Sequence, residues 1–347
     1  MNLQIALLLG QDGVTNGAIY ALLALSIVLV FTVTRVLLVP QGEFVTFGAM
    51  CMGALQAGQP VRLAWLVLGL SLAVVVQRLW WARSGGAAAR RFTWLDLMPP
   101  VYAVALFLIG RFWPAQDWPM AAQVLYTLAL IVPLGPWLYD LFFRPIAGAH
   151  GLVLLIVSIA LHAVLVGVAL LMFGAEGAHT LPFSEEGLEL GLLRLNAQTL
   201  WVLVVTLALI VALALFFERT LQGKALRATA VSRLGAELMG ISPSMAGRLC
   251  FGLAAFIGGL SGILIAPLTT LYYDSGFLIS LKGFVGAVIG GLVSFPVGAI
   301  GALSVGMVEA YSTFWASSYK EVIVFTLILP VLLWRSLNSR HHEEDRA

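Results

Sequence analysis

Long apolar runs separated by short polar stretches follow one another along the chain from Gly17 to Trp334. Each run is a candidate membrane-crossing helix, because it is apolar over most of a helix length. The pattern therefore predicts an all-α fold, a polytopic transmembrane helical bundle with about 9–11 spans. The candidate spans are Val14–Leu38, Glu43–Ala57, Leu63–Trp81, Met98–Trp113, Ala121–Phe143, Leu152–Phe173, Thr199–Phe217, Leu249–Leu271, Leu281–Val293, Val297–Ala316 and Val322–Trp334.

Two of these runs, Glu43–Ala57 and Leu281–Val293, are shorter than the roughly 20 residues that a helix needs to cross a bilayer. Short helices that stop within the membrane are tolerated only where other helices or a water-filled cavity surround them. We therefore expect one or more broken or re-entrant helices in the bundle.

The composition agrees with a membrane protein, because 61% of the residues are hydrophobic and only 10% are charged. A soluble domain carries about 25% charged residues. The net charge of +2 is too small to indicate a nucleic-acid partner, and lipid is the expected surrounding. Cys51 and Cys250 lie in apolar runs, which favours small buried side chains over a disulfide or a metal site.

The two ends of the chain have different characters. Met1–Gly10 has no basic residue and no cleavage site follows it, so we expect the first span to be retained. The charged C-terminal segment 336–347 is expected to be a disordered cytoplasmic tail. Its neighbours His341 and His342 are expected to be solvated rather than metal ligands, and no cofactor is predicted.

The basic residues indicate an orientation. If the polar segment 218–248 is cytoplasmic, alternating spans place 14 of the 19 Lys and Arg residues on that side. An excess of basic residues marks the cytoplasmic side of a membrane protein. The N-terminus and the loop Gly174–Gln198 are then external. The remaining five basic residues are Arg62, Arg111, Arg194, Lys282 and Lys320.

The polar segment itself has the pattern of a helix at Lys224–Met239. Apolar residues recur every four positions within it, and Gly240 is well placed to end it. Ser242 followed by Pro243 then starts the next span. Such a helix either docks onto a cytoplasmic partner or lies on the membrane surface. The apolar stripe consists of Leu226, Ala230, Leu234 and Leu238.

The chain has no P-loop, because Glu218 and Ala225 stand where the motif requires Gly and Ser or Thr. We therefore expect no ATP hydrolysis by this chain. Separately, no enzyme activity is predicted for it. If the chain moves a solute across the membrane, the energy must come from a separate ATPase or from an ion gradient. Glu309 and His162 are the ionisable candidates within spans, either lining a pathway or bonded between helices. Two isolated groups make a poor proton relay.

The turn "VPQGEFVTFG" brings Gln41, Glu43 and Thr46 to the end of a span. We expect these residues, with His162 and Glu309, to line a translocation path. A capped cytoplasmic turn is the alternative. Glycine pairs spaced by four, including Gly258 with Gly262 and Gly286 with Gly290, indicate close helix packing, by default within the chain.

Several blocks resemble the LivH-type permeases of branched-chain amino acid ABC transporters. They include Gly17–Met50, Phe142–His162, "TLQGKALRATAVSRLGAELMGIS" and "LKGFVGAVIGGLVSFPVGAIGALSVGMVEAY". The resemblance covers about 10–81 and 139–334 of the chain. Residues 82–120 have no counterpart in the family pattern and are expected to be an inserted helical hairpin within one permease domain, 1–347.

The resemblance implies a permease subunit of a bacterial ABC importer in the cytoplasmic (inner) membrane. The substrates would be branched-chain amino acids or related small polar solutes, and an ion-coupled secondary transporter is the alternative function. The implied partners are ABC ATPase subunits, a related second permease chain and a periplasmic or extracellular substrate-binding protein. The segment 218–248 would be the cytoplasmic coupling loop, with the ATPase contacted by Lys224, Arg227, Arg233, Leu234, Gly235 and Leu238.

Overall fold

The computed structural model describes residues 3–83, 94–113, 117–184, 187–190, 193–334 and 337 of the chain. The predicted tail at 336–347, apart from residue 337, lies outside these residues, as do the basic-loop positions 84–93. The predicted all-α polytopic bundle is confirmed. One antiparallel β-hairpin, β1 (Leu188–Leu190) and β2 (Leu193–Leu195), is added in the loop between two spans.

Fourteen helices are defined in the described part of the chain. They are α1 Leu3–Thr34, α2 Gln41–Gln56, α3 Leu63–Arg83, α4 Met98–Phe112, α5 Met120–Ile131, α6 Leu134–Leu138, α7 Gly151–Phe173, α8 Ala197–Arg219, α9 Leu221–Val231, α10 Arg233–Leu238, α11 Pro243–Ile265, α12 Ser275–Ile289, α13 Phe295–Ala316 and α14 Lys320–Thr326. A π-helical turn, Tyr139–Phe143, continues α6, and residues 328–334 are helical after α14.

Seven helical segments of the described residues are long and apolar enough to cross a membrane. Some of them join two of the named helices through short turns. The helices α4 and α12 are also apolar but are shorter than these seven segments. The seven segments are Gln4–Thr34, Leu63–Arg83, Met120–Ile146, Gly151–Phe173, Ala197–Arg219, Pro243–Ile265 and Phe295–Trp334.

The helix α2 lies in the centre of the bundle, and nearly all of its residues are buried. It packs against α5, α7, α11 and α12. Glycines make this packing close, because a Cβ added at Gly48 would meet the backbone of Gly259, and one at Gly262 would meet the backbone of Val45. The spaced glycine pairs of the sequence thus lie at contacts within the chain.

Helix α2 begins at half the depth of the bundle. The Gln41 amide donates to the carbonyl oxygen of Ala254 (3.0 Å), the middle residue of the 23-residue α11. Glu43 meets His162, the middle residue of the 23-residue α7. Only 16 residues of α2 then remain to reach the far end of the bundle, beside Ala178.

Helix α12 begins at the same depth and runs in the opposite direction. Its Gly276 amide donates to the Thr46 hydroxyl (3.1 Å), and a Cβ added at Gly42 would meet the Gly276 backbone. Its last turn ends beside Gly298 at the start of α13. The two short helices therefore meet N-terminus to N-terminus inside the bundle, as the expectation of broken helices requires. Helix α12 begins at Ser275, six residues before the predicted span.

The prediction of one helix at Lys224–Met239 is wrong, because the chain breaks at Ser232. Ser232 has an extended backbone, and its hydroxyl accepts a hydrogen bond from the Gly235 amide (3.0 Å). It therefore ends α9 and caps the N-terminus of α10. Gly240, with φ of 80°, ends α10 as predicted, and the Ile241 amide donates back to Ala236 (2.9 Å).

The described part of 82–120 contributes the helix α4. It lies antiparallel to α3, because Trp65 near the start of α3 contacts Phe107 near the end of α4, with ring centroids 4.7 Å apart. At the opposite end, Arg78 of α3 pairs with Asp96 (3.0 Å). Helix α4 is largely exposed, which places it at the periphery of the bundle.

Candidate functional site

Four of the five residues expected to line a path come together where α2 and α12 begin. Glu43 Oε1 and His162 Nδ1 are 2.8 Å apart, and the His162 ring packs against the ring of Phe277 at 4.6 Å. Gln41 and Thr46 bond to α11 and α12 as described above. We call the four predicted residues, together with Phe277, the central polar cluster: Gln41, Glu43, Thr46, His162 and Phe277.

The central polar cluster contains buried acceptors that have no partner. Gln41 Oε1 and Glu43 Oε2 have no hydrogen-bond partner among the described residues, although both side chains are fully buried. A buried polar atom without a partner costs about 1–3 kcal/mol, so each such atom calls for an explanation. The positive ends of two helix dipoles meet here and favour the negative charge of Glu43.

Glu309 does not belong to this cluster. It accepts hydrogen bonds from the Tyr20 hydroxyl (2.6 Å) and from the Lys282 ammonium (2.5 Å). Lys282 also pairs with Glu321 (3.1 Å). The Lys282 side chain is only 7% exposed and lies within α12. Lys282 therefore lies inside the bundle, and counting it among the external basic residues was wrong.

A second buried carboxylate forms ion pairs with several arginines at the end of the bundle that carries α10. Asp140, in the π-helical turn, accepts from Arg248 Nε (2.7 Å) and lies 3.6 Å from Arg78 and 3.8 Å from Arg144. Arg233 of α10 donates to the Ala147 carbonyl at the same end (3.2 Å). Basic residues that are distant in sequence therefore share one end of the bundle, as the positive-inside assignment requires.

The break at Ser232 divides the predicted apolar stripe. Leu226 on α9 is buried, whereas Leu234 and Leu238 on α10 are 70% and 80% exposed. Met239 is 82% exposed beside them. These three exposed residues, with the helix that carries them, form a surface that we call the α10 patch: Leu234, Leu238 and Met239.

The remaining residues expected at the coupling site surround this patch. Lys224 is exposed on α9, and Arg227 lies over the Phe217 ring at 5.8 Å. Gly235 donates its amide to Ser232, so its part in the structure is to complete the cap of α10. The basic groups thus lie on α9 or reach back to the core, while α10 offers apolar side chains.

Sequence reasoning missed Phe277, Asp140 and the pairing of Lys282 with Glu309. Asp140 lies three residues before the "FRP" block, but no pattern in the sequence connects it to arginines on other helices. Lys282 within an apolar run is an indication of a buried ion pair that could have been recognised. In the described part of the chain, no three His, Cys, Asp or Glu side chains are grouped as a metal site.

Comparison with known proteins gives a family match over most of the chain. The model of the family described as branched-chain amino acid transport system / permease component matches residues 11–332. The high-affinity branched-chain amino acid transport system permease protein LivH of Salmonella typhimurium is 34% identical over 132 residues, which are 38% of this chain and 43% of that protein. LivH of Escherichia coli K12 gives the same values.

The permease protein BraD of Pseudomonas aeruginosa is 32% identical over 136 residues, 39% of this chain and 44% of that protein. The matched segment thus spans less than half the length of each curated relative. A solved structure, PsaBC from Streptococcus pneumoniae in complex with Fab, is similar over 92% of this chain and 90% of that one. Its identity is 10% and its TM-score 0.41, and a TM-score below 0.5 does not establish a shared fold.

Proposed function

The chain belongs to the family of branched-chain amino acid transport permease components, and we propose that it is the membrane-spanning permease subunit of a bacterial ABC importer. Its partners would be ABC ATPase subunits, a related second permease chain and an external substrate-binding protein. The chain would act as one permease domain in the cytoplasmic (inner) membrane. Branched-chain amino acids or related small polar solutes are the proposed substrates.

The observation that carries this proposal is the α10 patch. Leu234 and Leu238 contribute no burial energy while they face water. A helix of only six residues is also marginally stable on its own. Capping by Ser232 and the bond from Arg233 to Ala147 nevertheless hold it in one position. A fixed, exposed apolar helix at the basic end of the bundle suits a groove on a cytoplasmic partner.

The chain lacks a P-loop, so we propose that the partner at the α10 patch is the ATPase. Closure of the ATPases would push α10 and favour one of two conformations of the bundle. The central polar cluster would lie on the translocation path, with Gln41, Glu43, Thr46 and His162 as its polar residues. We propose a structural role for Glu309, because its carboxylate already accepts hydrogen bonds from Tyr20 of α1 and Lys282 of α12. It would thus link α13 to these two helices rather than line the path.

Copurification of the ATPase with the chain tests the proposal. Leu238→Asp places a charge in the apolar contact and is expected to weaken ATPase association by about tenfold or more, as at other interface hot spots. Leu181→Asp is a matched control, because Leu181 is 67% exposed at the opposite end of the bundle. Equal ATPase recovery with both variants would exclude the α10 patch as the docking site.

Uptake by membrane vesicles separates this function from the ion-coupled alternative. An ABC importer requires internal ATP, the ATPase and the external binding protein for solute accumulation. Accumulation by vesicles that contain only this chain and an imposed ion gradient would support a secondary transporter instead.

A further inference from the structure

Among the described residues, a cavity of about 480 Å³ opens at the end of the bundle opposite α10. The last turns of α2 and α7 form two of its walls, and the segment 176–179 forms a third. The cavity therefore lies at the C-terminal end of α2, and the N-terminal end of the same helix lies in the central polar cluster. No predicted site residue lines this cavity.

Opposite charges line the same cavity. Arg62 lies at its rim, where its guanidinium donates to the Met172 carbonyl (3.1 Å) and keeps further N–H groups available. Glu176 lines the cavity and has no partner among the described residues. His179 is held by its Nδ1 contact to the Ala266 carbonyl (3.1 Å). A guanidinium and a carboxylate at one cavity can hold the carboxylate and the ammonium group of a zwitterion.

Apolar side chains form part of the remaining lining. Met50, Met172 and Phe173 face the cavity from α2 and α7. Methionine side chains adapt to apolar groups of different shapes, and an aromatic ring adds apolar contact area. The C-terminal ends of α2 and α7 also carry partial negative charge, which favours an ammonium group over a free anion.

We propose that this cavity is a binding site for a zwitterionic amino acid with an apolar side chain. Arg62 binds the carboxylate, Glu176 binds the ammonium group, and the Met50 wall contacts the side chain. The proposal rests on the proposed function, since it identifies the place where the permease receives its substrate. Bound there, the amino acid lies at the outer end of α2 and one helix length from Glu43.

Protection of an introduced cysteine from labelling tests the site in the full-length chain in its own membrane. The native Cys51 and Cys250 are buried, so a membrane-impermeant maleimide reports the new thiol. Ala57→Cys and Gln59→Cys are two independent reporters, because both positions are exposed at the cavity. Excess L-leucine is expected to slow their labelling by about tenfold when its concentration is ten times the dissociation constant.

Charge-modified analogues test the two assigned contacts. Leucinamide, which lacks the carboxylate, and N-acetyl-L-leucine, which lacks the ammonium group, are expected to give no protection at the same concentration. Arg62→Gln and Glu176→Gln are expected to abolish protection by leucine. Arg111→Gln and Asp117→Asn are matched controls, because both residues are exposed outside the cavity.

The outcomes separate the site from the transport function. Absence of protection by leucine at both reporters overturns the site, and so does equal protection by the two analogues. ATP-dependent leucine uptake measured in the same membranes tests the importer independently. Uptake without protection therefore rejects only the site, and protection without uptake rejects only the importer.

Discussion

The Glu43 carboxylate and the His162 imidazole meet at 2.8 Å between the first turn of α2 and the middle of α7. Glu43 is fully buried, and the His162 side chain is only 18% exposed. Of the two Glu43 oxygens, Oε2 has no partner among the described residues. The hydrogen bond with His162 therefore offsets part of the free-energy cost of burying the Glu43 carboxylate deep in the bundle.

Removing His162 alone should destabilise the protein far more than removing both His162 and Glu43. His162→Leu leaves the Glu43 carboxylate buried and unpaired, so the free energy of unfolding should fall by about 3–5 kcal/mol. The double variant His162→Leu with Glu43→Leu should recover much of this loss. Thermal unfolding of the detergent-purified chain measures both.

The ion pair between Lys282 and Glu309 should behave in the same way but without a role in substrate movement. Lys282→Met is expected to cost about 3–5 kcal/mol of stability, because it leaves Glu309 unpaired in a buried position. Adding Glu309→Gln should restore most of that stability, since Tyr20 can still bond the amide. Restored uptake in the double variant would agree with a structural pair; a stable double variant without uptake would place Glu309 on the path.

The junction of α2 and α12 should not accept a side chain. Gly42→Ala brings a Cβ against the Gly276 backbone, which cannot move without separating the two helices. Overpacking of this kind costs about 1–3 kcal/mol or more. Gly167→Ala on α7 is the matched control, because nothing lies within reach of its Cβ, and it should be neutral or stabilising by up to about 1 kcal/mol. Thermal unfolding of the two variants compares the sites directly.

Sequence patterns predicted the helices of this bundle well, because long apolar runs can satisfy their backbone only as helices in a membrane. They failed at Ser232, where spacing by four residues suggested one continuous helix. The capping bond between Ser232 and Gly235 decided the local structure, and it left Leu234 exposed while Leu226 became buried.

The depth of α2 was also beyond sequence reasoning. The predicted span Glu43–Ala57 nearly matches α2, but only the bonds to Ala254 and His162 show that this helix starts halfway through the bundle. Likewise, the pairing of Lys282 was not predicted, since its partner Glu309 lies 27 positions away and the pairing depends on how α12 packs against α13.

The cap at Ser232 itself can be tested. Ser232→Ala removes the bond to the Gly235 amide and should destabilise α10 by about 1 kcal/mol. Alanine also favours a continuous helix through this position, which would turn Leu234 and Leu238 away from their present direction. Hydrogen exchange of the α10 amides should accelerate, and ATPase copurification should decline. Ser244→Ala, at the second residue of α11, should change neither, and a stable α10 in Ser232→Ala would show that the cap is dispensable.

Helix α11 connects two places that have so far been treated separately. It follows α10 after one tight turn at Gly240, Arg248 fixes its first turns to Asp140, and its midpoint carbonyl at Ala254 holds Gln41. If α11 moves as a rigid rod, a displacement at the end next to α10 either carries Gln41 with it or breaks the bond between Gln41 and Ala254. The force from a nucleotide-driven partner would then arrive beside Glu43 without any repacking of the side chains in between.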